Sequence, residues 1–505
     1  MRVLLTTIKT ESPKSRLAVK YLYSVLADAP IELFLDTYDN SELTSNMYED
    51  IVRGSYGVVY FHVDEFNEGR ILNLAEMVKK AVPTCAIILG GLQVSYDAKR
   101  LLKDYPCIDF VIRGEGEKVL FNFIRTLVTY EFDFINIPGL AFREEDTIYC
   151  NPLDAPVQME DLPFPYEKLN AENGVVYYES IRGTSDRCAY SQFLPDARIR
   201  ALSLNRVCTE LRYFLAKGVD RVIFLDKYFN YNTERAYRIW EYLIGNDNGT
   251  TTFVFDVNGD NLDEETIRLL NTARSGLFEF RIEVESTNPE TLASVGRKEN
   301  IYQLMYNVSK LLQGNVKVAV TLKIGLPYEN EELFARSFNK IYGLGADTME
   351  VSILRIPKGT TIRQDAGVYG YQFNSVPPYE VIASDFMHAP EMIKIRNVVK
   401  VLDIYLKDGG FEKSLERILS DTGIKPYEMF RKLSDYIVEN KLRDKMDKKE
   451  NLYRILYAFA IGLYDELNDT LKLQILMEVI HSDLERNLSA DAIKKFERKG
   501  WEIEG

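Results

Sequence analysis

The 505-residue chain contains 46% hydrophobic and 27% charged residues, which predicts a globular protein of about two to four domains. Its formal net charge of −14 and its pI near 5.1 argue against a nucleic-acid partner, with a local basic groove as the alternative that these values leave open. The five cysteines form no C-x-x-C pair and the three histidines are scattered, so we expect a reducing compartment and no zinc site. No signal peptide and no apolar run of roughly 20 residues is visible. We therefore expect a cytoplasmic protein with no membrane partner.

Strand-like apolar runs alternate with helix-like segments from Arg2 to about residue 130. Such alternation predicts an α/β domain at residues 1–130, with a doubly wound, five-stranded parallel sheet. Ligands of such sheets bind beyond the carboxyl ends of the strands. The candidate ligand-binding residues at those ends lie in two glycine-containing loops and at one strand end: Gly90, Gly91, Gly114, Glu115, Gly116, Glu117 and His62.

Three further regions follow this domain. Five prolines between residues 131 and 170 predict a linker. Six strand and helix repeats in residues 171–380 predict a partial (β/α)6 barrel, with its active site at the carboxyl ends of the strands. In residues 381–505, apolar residues recur at helical spacing, which predicts a helical C-terminal domain that covers the barrel or binds a partner.

The loop after the first strand of the predicted barrel carries the most informative motif. In ESIRGTSDRCAYS, residues 179–191, the positions i, i+4 and i+7 are Thr184, Cys188 and Ser191. This loop resembles the cluster loop of the cobalamin-binding radical S-adenosylmethionine (SAM) family, in which all three residues are cysteines that hold a four-iron, four-sulfur cluster. The resemblance implies a barrel in which SAM binds beside that cluster.

Motifs outside this loop extend the resemblance to about residues 1–410. ILGGLQVSYD and IDFVIRGEGE resemble the family's cobalamin-binding domain, although Leu92 replaces the family's proline. APVQMEDLPFPY resembles its interdomain linker, and FLDKYFN, IGLPYE and LRIPKGT resemble its barrel strand ends. The resemblance implies that the two glycine loops bind cobalamin, with His62 as a candidate ligand that faces the corrin.

The sequence departs from the family where the cofactors would bind. A cluster needs three thiolates, and the hydroxyl groups of Thr184 and Ser191 are poor ligands for iron. We therefore expect a degenerate motif that holds no four-iron, four-sulfur cluster, whereas SAM binding stays open. In the fourth barrel strand, the family's E-x-G-x-Q-S becomes Arg281, Glu283, Glu285 and Ser286.

Three carboxylates at strand ends are the candidate catalytic residues: Asp226, Glu283 and Glu285. The alternative for each is a solvated or salt-bridged structural residue. Glu283 and Glu285 lie two apart on a strand and point to the same face as Arg281. If that face lines the barrel, the three residues form either a structural ion-pair group or a polar site for a cationic group, and the sequence leaves both open.

Two functions are consistent with these patterns. The first is a cobalamin-dependent enzyme that transfers a methyl group to a small molecule or peptide by polar chemistry, without a radical. The second is a catalytically inactive protein that associates with an active radical SAM relative. A third explanation, deliberate replacement of the cysteines, is disfavoured because three other family positions far from the loop also differ.

Overall fold

A computed structural model describes residues 1–184, 187–193, 198–407, 409–467, 469–501 and 503. Its first strands are β1 (Arg2–Ile8), β2 (Glu32–Tyr38), β3 (Val58–His62), β4 (Ala86–Gly90), β5 (Phe110–Ile112), β6 (Leu140–Glu144) and β7 (Thr147–Cys150). They form one sheet in the order β2-β1-β3-β4-β5-β6-β7. The helices around it are α1 (Lys14–Leu26), α2 (Thr44–Gly54), α3 (Glu68–Ala81), α4 (Leu92–Ser95), α5 (Ala98–Asp104) and α6 (Gly116–Thr129).

Apolar residues at successive positions of the first strands explain why helices cover both faces of this sheet. Leu4 and Val59 pack with α2 and α3 in one core, whereas Val3 and Val58 pack with α1 and α6 in another. Strands β1 to β5 pair in parallel. The predicted doubly wound sheet with five parallel strands is confirmed.

Two antiparallel strands extend the sheet inside the segment predicted as a linker. β6 pairs with β5, and β7 pairs with β6. Leu140, Ala141 and Phe142 are buried in this hairpin. Pro138 and Pro152 flank it, so neither removes a hydrogen bond from the ladder. The density of prolines predicted a connector over the whole of residues 131–170. The structure shows that this segment contains a hairpin, β6 and β7, as well as a connector.

The next strands are β8 (Val175–Tyr178), β9 (Ile181–Arg182), β10 (Arg200–Ala201), β11 (Arg221–Phe224), β12 (Thr252–Asp256), β13 (Phe278–Glu285), β14 (Lys317–Ile324) and β15 (Thr348–Ile353). Their helices are α7 (Leu204–Lys217), α8 (Thr233–Gly245), α9 (Glu264–Leu270), α10 (Pro289–Ser294), α11 (Ile301–Leu311) and α12 (Glu331–Tyr342). A six-stranded parallel sheet has the order β15-β14-β13-β12-β11-β8. The predicted partial (β/α)6 barrel is confirmed.

The barrel strands bury one face and leave the other accessible. In β13, Phe278 and Phe280 are fully buried, and the Trp240 ring on α8 lies 5.3 Å from that of Phe280. Arg281 and Glu283, at the positions between the buried ones, are partly accessible. Because side chains alternate along a strand, these charged residues face the interior of the barrel.

After the barrel, α13 (Thr361–Gln364), β16 (Gln372–Phe373) and β17 (Val381–Ala383) lead into a helical region. Its helices are α14 (Ala389–Leu402), α15 (Glu412–Thr422), α16 (Pro426–Glu439), α17 (Lys449–Leu467), α18 (Thr470–Asn487) and α19 (Ala490–Lys499). The predicted helical C-terminal region is confirmed. Over the residues that the structure describes, no helix has both the length and the apolar character that a membrane span needs.

The first sheet docks onto the rim of the barrel through two groups of buried charges, here called the interdomain ion pairs. Arg182 contacts Glu117 of α6 at 2.7 Å, and Arg200 donates two hydrogen bonds to the carboxylate of Glu115, at 2.9 and 2.6 Å. Burial opposes ionisation of Glu117, but Arg182 holds the pKa of that carboxyl below its usual value. These pairs fix the carboxyl end of β5 against β9 and β10.

Replacing Arg182 with methionine should lower the free energy of unfolding by about 3–5 kcal/mol, because Glu117 is then buried without its cation. Denaturant-induced unfolding followed by circular dichroism measures the change. The control is the double variant Arg182→Met/Glu117→Gln, which removes both charges and should recover much of the loss. Equal stability of the single and the double variant would contradict this role of the ion pair.

Candidate functional site

The loop that carries Thr184, Cys188 and Ser191 connects β9 to β10, which pair as a short antiparallel ladder. Thr184 and Cys188 are buried, and Ser191 is partly accessible. Burial raises the pKa of the Cys188 thiol. The protonated form of this thiol is therefore favoured over the thiolate that binds metals.

The same loop places Tyr190 in the barrel mouth, which is the region at the carboxyl ends of the barrel strands. The backbone N–H of Ala189 donates to the Val295 carbonyl at 2.9 Å and thereby anchors the loop. The Tyr190 hydroxyl accepts a hydrogen bond from Arg297 at 3.4 Å, and Lys323 Nζ lies 5.2 Å from the centroid of its ring. Tyr190 is thus held between two cationic side chains.

The donor atoms of this loop do not fit a four-iron, four-sulfur cluster. Such a cluster needs thiolate ligands, and the loop offers one thiol with a raised pKa and the hydroxyl groups of Thr184 and Ser191. Apart from the residues outside the described ranges, no three His, Cys, Asp or Glu side chains come together as a metal-binding group.

Glu283 and Glu285 lie at the barrel mouth in one ion-pair network. Arg297 contacts Glu283 at 3.2 Å and Glu285 at 3.8 Å, and Lys323 contacts Glu285 at 3.3 Å. Burial alone would raise the pKa of Glu283, but the nearby cations hold it below its usual value. A β-bulge between the two glutamates, with a φ of 64° at Glu285, brings both to Arg297. Lys227 also contacts Glu283, at 3.7 Å, so the cations of this network are Lys227, Arg297 and Lys323, in place of Arg281.

Asp226 is a fully buried carboxyl group at the entrance of the loop. It accepts hydrogen bonds from Ser180 N at 2.7 Å, Ser180 Oγ at 2.5 Å and Ile181 N at 3.0 Å. Burial raises the pKa of Asp226 to about 7, although these hydrogen bonds oppose the shift. Both carboxyl oxygens are therefore committed to the turn that leads out of β8.

The glycines at the end of β4 are required by packing within the first domain. A Cβ on Gly90 would lie 2.2 Å from the Tyr60 hydroxyl, and one on Gly91 would lie 2.3 Å from the carbonyl oxygen of Val63. Gly91 also has a φ of 111°, which favours glycine. His62 Nδ1 lies 3.1 Å from the Tyr60 hydroxyl, and burial lowers the pKa of His62 to about 4. The imidazole is therefore neutral near pH 7.

The second glycine loop contacts the barrel through its acidic residues. Glu115 and Glu117 are the carboxylates of the interdomain ion pairs, and Glu115 also accepts a hydrogen bond from Val157 N at 2.8 Å. Between them, a Cβ on Gly116 would lie 3.3 Å from Leu22 of α1. The acidic residues predicted to bind a cofactor thus bind the second domain.

Gly114 begins this loop with a φ of 80°. It borders a cavity of about 90 Å³ whose lining includes Arg113, Leu153 and Pro156. The hydroxyl oxygen of Ser95 accepts a hydrogen bond from Gly114 N at 3.1 Å. The left-handed backbone at this position explains the glycine without a ligand.

Sequence reasoning missed three residues of the barrel mouth: Tyr190, Arg297 and Lys323. Lys323 lies between buried residues of β14, so the alternation of that strand could have identified it as facing the interior. Tyr190 adjoins Ser191 in the cluster loop, but it is not at a ligand position of the motif, so the motif did not mark it. Arg297 lies in the connection between α10 and α11, where no strand pattern marks it.

A doubly wound sheet docked on a six-stranded partial barrel places this chain in the fold class of the radical SAM superfamily. Residues 178–341 match the sequence profile of the radical SAM superfamily. Residues 367–503 match a family described as protein of unknown function (DUF4080). The chain thus carries a radical SAM superfamily domain, and the resemblance inferred from the sequence is confirmed.

The chain is 23% identical to the uncharacterized methyltransferase PH0819 of Pyrococcus horikoshii, over 57% of this chain and 64% of the relative, so it spans less than two thirds of that protein. It is 21% identical to the cobalamin-dependent radical SAM methyltransferase TokK of Streptomyces tokunonensis, over 87% of this chain and 68% of the relative. The structure of OxsB with aqua-cobalamin and SAM bound matches with a TM-score of 0.64 at 13% identity, over 95% of this chain and 84% of that chain. This likeness establishes the fold.

Asp226→Asn should remove a pH dependence of stability. The folded-state pKa of about 7 exceeds the unfolded value of about 3.9, so the neutral acid stabilises the fold fully below about pH 4, and this contribution is lost as the pH rises to about 7. Denaturant unfolding across this range should show that the wild type loses more stability with rising pH than Asp226→Asn does.

The control is Asp226→Ala, which leaves two buried backbone N–H groups without an acceptor. It should be about 2–3 kcal/mol less stable than Asp226→Asn at every pH. Parallel pH profiles for the wild type and Asp226→Asn would show that folding does not raise the pKa of Asp226 and would contradict this prediction.

Proposed function

We propose that this protein keeps the fold of a cobalamin-dependent radical SAM methyltransferase and works without an iron–sulfur cluster. The observation that carries the proposal is the cluster loop, which offers one protonated thiol, at Cys188, and directs Tyr190 into the barrel mouth. Reductive cleavage of SAM needs an electron from a cluster, so this chain does not perform it. Its function is then to hold a small molecule or peptide for an active radical SAM relative.

Direct contacts between the domains support a protein that binds without catalysis. Gln93 is the second residue of α4 and donates a hydrogen bond to the Tyr379 hydroxyl at 2.7 Å. Lys358 contacts Glu68 at 3.0 Å and Asp97 at 2.7 Å. Loops after β3 and β4 therefore rest on the barrel side of the interface, in the region where a cofactor of this fold would be expected.

Anaerobic reconstitution with iron and sulfide should leave the wild type with less than about one iron per chain, where a bound cluster requires four. Metal analysis and the absorbance spectrum measure this. The double variant Thr184→Cys/Ser191→Cys restores three thiols at the family spacing and should gain iron. The control is Cys188→Ser, which should bind no more iron than the wild type. About four irons per wild-type chain would overturn the proposal.

Cobalamin-dependent polar methyl transfer is the second candidate, and His62 favours it. Its ring is neutral, and Nε2 makes no hydrogen bond to a described residue, so this nitrogen is chemically able to ligate cobalt. A bound cobalamin would supply a cobalt centre that accepts and donates methyl groups. His62 would hold the cobalt through a ring nitrogen, and Tyr60 would support the ring of His62.

Titration with cob(II)inamide tests this candidate, because cobinamide lacks the nucleotide base that could itself ligate cobalt. Binding through His62 should give an electron paramagnetic resonance spectrum split by one axial nitrogen. His62→Ala should lose the splitting, whereas the control His388→Ala should keep it. A wild-type protein that binds neither cobinamide nor cobalamin would remove this candidate and leave the non-catalytic function.

A further inference from the structure

A groove runs between α7 and α8, the first two helices of the barrel, and encloses about 550 Å³. We call it the α7–α8 groove, and its lining includes Leu204, Asn205, Cys208, Asn232, Arg235 and Arg238. Other residues of the two helices, such as Val207 and Ile239, are buried in the same core as Val222 of β11. Because helices surround the sheet in this architecture, the groove lies outside the barrel and apart from its interior. Its volume is typical of a site for a small molecule.

Arg235 is the buried charge in the lining of this groove, with 8% of its surface exposed. It makes no ion pair with any residue that the structure describes. Its Nη2 donates long hydrogen bonds to Ser180 Oγ and to the Leu202 carbonyl oxygen, both at 3.3 Å, whereas Nη1 has no acceptor. Asp226 lies beyond Ser180, and its pKa of about 7 leaves that carboxyl group partly neutral at neutral pH. The guanidinium group of Arg235 therefore has an unused donor and no carboxylate in contact with it.

The amino ends of the two helices add further positive potential to the groove. The backbone N–H groups of Leu204 and Asn205 precede the first intrahelical hydrogen bond of α7 and have no partner within the described ranges. Free N–H groups and the helix dipole together attract anions. Of the acidic residues in the lining, Glu241 pairs with Arg238 at 3.1 Å and Glu234 is exposed. The groove thus combines a buried cation with free N–H donors.

We propose that the α7–α8 groove binds a small organic molecule through an acid group, either a phosphate or a carboxylate. The oxygens of this group accept hydrogen bonds from the N–H groups of Leu204 and Asn205, and its charge is balanced by Arg235. A cationic ligand is disfavoured, because Arg235 and the helix amino ends would repel it. A phosphate ester and a carboxylic acid offer the same acceptors, so the groove accommodates both classes. This site is additional to the barrel mouth and does not depend on whether a cluster is bound.

Titration of the full chain with matched acids and neutral molecules, followed by ligand-detected NMR, tests the proposal. The probes are ribose 5-phosphate against ribose, and gluconate against glucose, all at one ionic strength. At least one of the two acids should bind, and its neutral counterpart should bind about tenfold more weakly or not at all. Tighter binding of ribose 5-phosphate would identify a phosphate ester as the ligand class, and tighter binding of gluconate would identify a carboxylic acid.

Arg235→Met assigns the binding to the groove, because it removes the buried charge and keeps an unbranched apolar side chain. It should weaken binding of the preferred acid by about tenfold or more. The matched control Arg336→Met alters an exposed arginine on α12 and should leave the affinity unchanged.

Leu204→Pro removes one N–H donor from the groove without removing a charge. Leu204 is the first residue of α7, where proline is tolerated, and Ser203 before it is extended. This variant should weaken binding of the acid by about three- to tenfold. The matched control Ala490→Pro makes the same change at the first residue of α19, which also follows a capping serine, and should leave the affinity unchanged. Circular dichroism confirms that each variant is folded.

Equal binding of each acid and its neutral counterpart, or no binding of either acid at millimolar concentration, would overturn the proposed site. Unchanged affinity in the folded groove variants would also overturn it. If Arg235→Met does not fold, Leu204→Pro alone decides, because it breaks no contact of a buried side chain with the rest of the barrel. The iron content of the wild type tests the cluster-free function separately, so that function and this site can fail independently.

Discussion

The buried charge of Arg182 is the constraint on which the arrangement of the two sheets depends. A buried guanidinium is stable only when it is paired, and its two close carboxylates come from different parts of the chain: Glu117 of α6 at 2.7 Å and Glu179 after β8 at 2.7 Å. Tyr21 of α1 packs over it, with its ring centroid 5.0 Å away. Because Arg182 lies immediately before the cluster loop, the contacts that dock the first sheet also fix where that loop leaves the barrel.

The cluster loop and β13, the fourth barrel strand, both contact the guanidinium group of Arg297. Arg297 donates to the Tyr190 hydroxyl of the loop at 3.4 Å and contacts the Glu283 carboxylate of the strand at 3.2 Å. Glu283 stands where the resembling family carries glycine, and the charge it adds needs a partner inside the barrel. The cluster loop and β13 therefore belong to one electrostatic arrangement, in which charges of the protein neutralise each other at the barrel mouth.

The sequence predicted the fold well because both sheets follow simple patterns. Continuous apolar runs marked β1 to β5, and the alternation in β13 placed Arg281 and Glu283 on the inner face. The site was harder to predict, since the partners of each charge come from distant segments. Arg297 lies in a connection without a pattern, and only the fold brings it to Glu283. The role of the glycine pair Gly90-Gly91 could not be read from the sequence for a related reason, because a glycine required by close packing and one required by a ligand look alike in sequence.

The separation of Asp256 from Arg281 is best understood against the pairing of the other barrel charges. A direct ion pair between register neighbours would stabilise an enclosed site, because neither charge would then be buried without a partner. Glu285 follows this rule, with Lys323 at 3.3 Å. Asp256 and Arg281 depart from it although their backbones are adjacent. Arg281 instead opposes the burial-driven rise in the pKa of Asp256 without a salt bridge, together with Lys14 and Lys227. The carboxyl group of Asp256 is therefore compensated by several cations around it rather than by one direct ion pair.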